Sequence, residues 1–174
     1  MEIVILSENI NQGRTMKIIS VVGVLFSFAF FSVSSSAGDL TKEIVSSGGY
    51  SLYQRGNGIA DDIIYANNNE AWRLHQKWWF RSIGGGKYQI RADSRKEICI
   101  YDPKRSDLAK YDSSCNENWA RNEWSLTAMG TNSTGTYYRI SNYLGKCMEV
   151  DPIRNRVKVL WCDSSKAYQR FYLR

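Results

Sequence analysis

Gln76-Lys77-Trp78, Asn122-Glu123-Trp124 and Gln169-Arg170-Phe171 are one triplet written three times. Its aromatic position recurs after 46 residues, from 78 to 124, and again after 47, from 124 to 171. A period of this length marks a repeat architecture, in which one unit cannot bury its apolar face alone and leans on its copies. Three copies fill the chain from about residue 39 to Arg174.

The repeat extends outward from the triplet. Two positions after each aromatic stands another large apolar residue, Phe80, Leu126 and Leu173. That alternation is the mark of a half-buried strand. Upstream, Glu43-Ile44-Val45, Tyr88-Gln89-Ile90 and Tyr138-Arg139-Ile140 occupy matching places. So do Ser51-Leu52-Tyr53, Cys99-Ile100-Tyr101 and Cys147-Met148-Glu149. A further strand follows in each unit, at Ile63–Tyr65, Leu108–Tyr111 and Val157–Trp161. Each unit therefore reads as about four short strands joined by Gly-, Asn-, Asp- and Ser-rich turns. The expected fold is all-β with pseudo-threefold symmetry, in repeats of about 39–86, 87–132 and 133–174.

The cysteines keep the same rhythm. Cys99 and Cys115 are 16 apart, Cys147 and Cys162 are 15 apart, and each pair lies within one repeat. Four cysteines allow three connectivities, of which the repeat favours 99–115 and 147–162. Closing loops of this size stabilises by about 3 kcal/mol each in the chain-entropy account. A zinc site would want short Cys-x2-Cys spacings or histidine ligands. Neither is present, and the one histidine, His75, falls in a different unit.

Disulfides call for an oxidising compartment, and the N-terminal region offers a route to one. Met16-Lys17 begins a basic stretch, Ile18 to Phe31 is 14 residues of apolar sequence diluted only by serine and glycine, and Ser35-Ser36-Ala37 supplies small residues. This is the pattern of a secretory signal peptide over 16–37, cleaved after Ala37. Residues 1–15 read as an extension upstream of the true start at Met16. The apolar run is short for a bilayer span, so no transmembrane span is expected. The remaining chain from Gly38, one domain by length, keeps the net charge of +6. Its positive residues are interspersed with Asp and Glu, which speaks for solubility or attraction to acidic surfaces. With no basic run, nucleic acid is not an expected partner.

Three triplets in register with intra-repeat cysteine pairs resemble the ricin-type (R-type) lectin β-trefoil family. The third unit is closest, through Gly145–Asp151, Val159-Leu160-Trp161-Cys162 and Gln169-Arg170-Phe171. The resemblance implies a closed barrel capped by a hairpin triplet, with one shallow pocket per unit. A sugar offers hydroxyls, which want carboxylate or amide partners, and an apolar C–H face, which wants a flat ring. Carried onto the third unit, the family's binding positions become Glu149, Trp161 and Tyr168, supported by Gln169. In the second they become Tyr101, Tyr111 and Arg121; in the first, Tyr53, Tyr65 and His75. No unit has the family's Asp or its Asn, and Trp161 stands directly against Cys162, one residue closer than the family's spacing.

A second aromatic set, Trp72, Trp79 and Trp119, lies in polar loops or out of phase with the core positions. Clustered exposed tryptophans suggest a binding surface. In this the chain is similar to the ricin-like subunits of cytolethal distending toxins, and that likeness implies a non-catalytic virulence subunit assembled with a catalytic partner chain. Enzyme readings find little support. One histidine leaves no room for most triads or metal sites, and adjacent carboxylates such as Asp61-Asp62 point to opposite sides of a strand. The expectation is a secreted lectin-like protein with no cofactor, recognising glycans or glycoconjugates best through its third repeat.

Overall fold

The computed structural model describes residues 39–54, 63–67, 75–116 and 119–174. The expected extension and signal peptide, and Trp72 of the aromatic set, lie outside the described residues.

Twelve strands follow in four-strand units. The first unit holds β1 (Leu40–Ser46), β2 (Ser51–Tyr53), β3 (Tyr65–Asn67) and β4 (Lys77–Gly84). The second holds β5 (Lys87–Ala92), β6 (Arg95–Tyr101), β7 (Lys110–Asp112) and β8 (Trp124–Asn132). The third holds β9 (Gly135–Asn142), β10 (Lys146–Asp151), β11 (Arg156–Trp161) and β12 (Phe171–Leu173). Short 3-10 turns at Ala120–Asn122 and Ala167–Gln169 lead into β8 and β12.

The first and last strands of the units close a ring. β1 pairs with β4, β4 with β5, β5 with β8, β8 with β9, β9 with β12, and β12 returns to β1, all antiparallel. A closed ring leaves none of these six strands with a bare edge. The middle strands form three hairpins, β2–β3, β6–β7 and β10–β11. They meet around a triangle of backbone bonds. Ile64 N donates to Ala109 O at 3.0 Å, Ala109 N to Val157 O at 2.9 Å, and Val157 N to Ile64 O at 2.9 Å. All three residues are fully buried. This cyclic triangle is the pseudo-threefold axis made explicit, and the architecture is a β-trefoil.

The triplets explain themselves in this frame. Trp78, Trp124 and Phe171 are fully buried in the common core. Trp78 Nε1 donates to Leu52 O at 3.0 Å, and Trp124 Nε1 to Ile100 O at 2.9 Å. Each indole thus ties the last strand of its unit to the middle of the second strand, satisfying its one donor without leaving the core. Phe171 fills the same place without a donor. The leading residues Gln76, Asn122 and Gln169 are buried as well.

Cys147 and Cys162 are joined. The second expected bridge is not closed in the structure: Cys99 and Cys115 are buried free thiols. They are neighbours, each sulfur lying within 4 Å of Asp112 O, at 3.9 and 3.8 Å. The hydrogen bond between the two thiols, with burial, pushes the Cys99 thiol far above its ordinary range. The repeat correctly brings the pair together. The second unit has one more residue between its cysteines than the third, and Cys115 takes a left-handed backbone (φ 40°) at that place.

Candidate functional site

In the third unit, β10 and β11 pair Glu149 with Lys158 and Lys146 with Trp161. Alternation turns Met148 and Val159 into the core and leaves Glu149 at the surface. The disulfide fixes the chain directly after Trp161, whose indole is 71% exposed. Beneath it, Gln169 uses both ends of its amide. Its Nε2 donates to Glu149 Oε2 at 2.8 Å and to Trp161 O at 3.0 Å, and its Oε1 accepts from Asp163 N at 2.8 Å. Lys166 Nζ also reaches Glu149 Oε2, at 2.9 Å. A shallow depression runs past Trp161, Asp163, Ser164 and Lys166. The Gln169 amide thus links the Glu149 carboxylate to the Trp161 backbone. A carboxylate is held in place by a buried amide, and the same amide fixes the backbone that carries an exposed ring.

Tyr168 does not join them. Its ring lies so close over Gly48, in the turn after β1, that a Cβ there would meet it at 2.7 Å. It braces the third unit against the first and does not line the depression.

Tyr111 lies at the floor of the second unit, its side chain turned into the core. It is fully buried, its ring stacked on Trp78 at 6.3 Å and its hydroxyl donating to Tyr53 O at 3.1 Å. The register gives the reason. Tyr111 pairs with Ile100 as Val159 pairs with Met148, so Tyr111 is the counterpart of core Val159 and not of Trp161. Tyr101, the counterpart of Glu149, is also nearly buried, with the Arg121 guanidinium 5.2 Å over its ring.

A different residue supplies the carboxylate of the second unit. Asp112 Oδ1 accepts from Ser114 N at 3.0 Å and Ser114 Oγ at 2.8 Å, and Oδ2 accepts from Asn122 Nδ2 at 3.0 Å. Partial burial raises its pKa, but these bonds and the Arg121 charge outweigh burial and hold it below the usual carboxylate range. Asp112, Ser113, Ser114, Trp119 and Arg121 surround one concavity with Tyr101 and Tyr111. Repeat counting passed over Asp112 because its third-unit counterpart is Leu160. The sequence signal was Asp112-Ser113-Ser114, an Asx-turn pattern that recurs as Asp163-Ser164-Ser165 with the same bonds.

Of the aromatic set, Trp79 and Trp119 lie among the described residues, each with its own cationic neighbours. Trp79 faces away from the core, as its phase requires, and is covered by Lys96 Nζ at 4.8 Å and Arg91 at 5.4 Å. Trp119 is 39% exposed and carries the Arg121 guanidinium at 4.1 Å. In the first unit Tyr53 and Tyr65 lie 5.8 Å apart, tilted by 37°. His75 follows a stretch, 68–74, that is outside the described residues. The described residues hold no cluster of His, Cys, Asp or Glu suited to a metal ion, and no helix long and apolar enough to cross a membrane.

No family model matches the chain, and no curated protein matches it in sequence. Solved structures match it in fold. A designed threefold-symmetric protein, ThreeFoil, superposes with a TM-score of 0.64 at 15% identity, over 76% of this chain and 96% of its own. A chain of the Haemophilus ducreyi cytolethal distending toxin gives 0.61 at 16%, over 76% of this chain and 81% of its own. SeviL, solved bound to the asialo-GM1 saccharide, gives 0.59 at 12%, over 77% and 95%. At these identities the likeness is one of fold. The resemblance to the ricin-type trefoil therefore holds for the architecture: the chain is a β-trefoil of the kind shared by lectins and toxin subunits.

Proposed function

We propose that this protein is a secreted, non-enzymatic glycan-binding trefoil whose best pocket lies in the third unit. The observation that carries the reading is the bonded set Glu149–Gln169–Trp161. Glu149 Oε1 has no partner among the described residues, and a sugar hydroxyl can donate to it. Trp161, whose backbone shares the Gln169 amide with Glu149, offers an uncovered ring for the sugar's C–H face. Support also comes from the fold neighbours, one of them solved with a saccharide. One shallow pocket binds weakly, so avidity would come from further pockets or from assembly. The second-unit concavity around Asp112, with Tyr101 in its wall, is the natural second pocket.

A glycan array probed with the purified protein and with Trp161→Ala tests this. Selective binding by the parent and its loss in the variant are expected. Trp161 is mostly exposed, so the variant should fold; far-UV and near-UV dichroism check that. A folded parent silent across the array would refute the reading.

A second reading, a non-catalytic subunit that assembles with a catalytic toxin chain, is favoured by the toxin neighbour and by apolar residues left in solvent, chiefly Ile153 at 92% exposure. Silence on the array together with retained folding would turn attention to it.

A further inference from the structure

The second and third units meet at a cleft lined by Lys104, Trp119, Ala120, Arg121 and Tyr143, with a volume of about 240 Å³. Lys104 lies between β6 and β7, Trp119 to Arg121 precede β8, and Tyr143 lies in the turn between β9 and β10. No single unit contains it, and it adjoins the second-unit concavity, with which it shares Trp119 and Arg121.

Its chemistry is one-sided. Two cations line it, and no carboxylate does. Arg121 lies over two rings, Trp119 at 4.1 Å and Tyr101 at 5.2 Å. Lys104 Nζ lies over Tyr143 at 5.5 Å. Among the described residues neither side chain makes an ion pair or donates a hydrogen bond. Ring stacking orients a guanidinium while leaving its in-plane N–H donors available, and that fork matches an oxyanion. The acidic groups behind the cleft are already engaged. Asp102 is fully buried and accepts from Asn142 Nδ2 at 2.6 Å and Lys104 N at 2.9 Å. Asp112, which shares the adjoining concavity and a charge attraction with Arg121, has its hydrogen bonds from Ser114 and Asn122. Trp119 and Tyr143 are each 39% exposed, giving the cleft apolar surface beside its two charges.

We infer that this inter-unit cleft binds an acidic sugar residue, its carboxylate or sulfate held between Arg121 and Lys104 and its C–H face against Trp119 or Tyr143. This rests on the glycan-binding reading above and gives it a ligand class and a second location. The third-unit pocket, built on a carboxylate, suits neutral hydroxyls. The cleft suits an anion. A glycan carrying a neutral sugar and an acidic one would engage both kinds of site.

The test is titration by isothermal calorimetry with lactose, 3′-sialyllactose, 3′-sulfolactose and sodium sulfate, using the parent, Arg121→Gln, Lys104→Gln and Trp161→Ala. The expected result is tighter binding of the two acidic glycans than of lactose. Arg121→Gln should weaken them by about tenfold or more, as for loss of a charge-assisted hydrogen bond, and Lys104→Gln, at a residue that lines neither per-unit pocket, should leave lactose unchanged. On the acidic glycans Lys104→Gln should act in the same direction as Arg121→Gln with a smaller effect, and binding should weaken with added salt. Comparing the two acidic glycans separates carboxylate from sulfate preference. Sulfate binding as tightly as 3′-sulfolactose would reduce the cleft to a bare anion site and overturn the sugar assignment. Acidic binding that resists both cleft variants but falls in Trp161→Ala would overturn the cleft while leaving the lectin reading intact. Acidic binding lost in the cleft variants, with lactose binding absent in the parent, would keep the cleft and refute the third-unit pocket. No binding of any glycan would refute both.

Discussion

Removing the side-chain amide of Gln169 should unhinge the third unit from within. Gln169→Ala deletes three hydrogen bonds: to Glu149 Oε2, to Trp161 O and from Asp163 N. The bond to an ionised carboxylate is worth about 1.5–3 kcal/mol and each neutral bond about 1 kcal/mol. Part of this returns through water, since Asp163 is near solvent and the Glu149 side chain keeps 16% of its exposure. The site itself is 1% exposed, so the vacated volume remains enclosed. A net loss of about 2–4 kcal/mol follows. In a domain of this size that is about 6–15 °C in melting temperature. Urea unfolding followed by tryptophan fluorescence reads the first figure and calorimetry the second. Trp161→Ala is the matched control, because a mostly exposed indole should cost under about 1 kcal/mol. The two variants then separate support from contact. Gln169→Ala should lose stability and glycan binding together, whereas Trp161→Ala should lose binding alone. A Gln169→Ala protein as stable as the parent would refute the argument that the buried amide holds Glu149 and Trp161 in place.

Three further outcomes are expected. Trp124→Phe leaves the buried Ile100 carbonyl without its indole donor and opens space in the core, so urea unfolding should show a loss of about 2–4 kcal/mol; a cost below about 0.5 kcal/mol would mean the indole bond is immaterial. Asp112 has its pKa held below the ordinary value when folded, so its stabilisation is present above the unfolded carboxylate pKa and fades as pH falls through the folded one. Between about pH 5 and pH 2 the parent should lose stability more steeply than Asp112→Asn; parallel curves in that range would remove Asp112 as a contributor. Export into an oxidising compartment should close Cys99 to Cys115 beside the existing bridge, because their thiols already adjoin. Intact-mass measurement should then lie four hydrogens below the reduced chain, and a deficit of only two would show that the pair stays as thiols.

The trefoil was legible in the sequence because core positions repeat for a physical reason. Trp78, Trp124 and Phe171 occupy equivalent buried places and must be large; Leu52, Ile100 and Met148 must be apolar beneath them. Such constraints recur with the symmetry, so spacing alone reveals them. Surface positions escape that discipline. Tyr111 stands two positions before Ser113, the register counterpart of Trp161, so the two aromatics are not equivalent. The pairing of Tyr111 with Ile100 places it inward regardless of the cysteine. Alternation was the safer guide, since Lys110 and Asp112 on either side needed the outward face.

The two Asp-Ser-Ser turns show why repeat alignment finds scaffolds more readily than sites. Asp112-Ser113-Ser114 stands before its cysteine, whereas Asp163-Ser164-Ser165 stands after Cys162. Both fold the same way, the carboxylate taking the N–H and the hydroxyl of the serine two residues on. Shifted across the cysteine, one motif places its carboxylate over Asn122 and Arg121, while the other offers only its backbone N–H to Gln169. A shift along the chain thus turns one local turn into two different chemistries. The inter-unit cleft goes further, since Lys104, Arg121 and Tyr143 have no common place in the repeat at all. They meet because the hairpin triplet brings the second unit's loop against the third unit's turn. That is where a threefold scaffold escapes its own symmetry, and a ligand that distinguishes this protein from other trefoils would be read there.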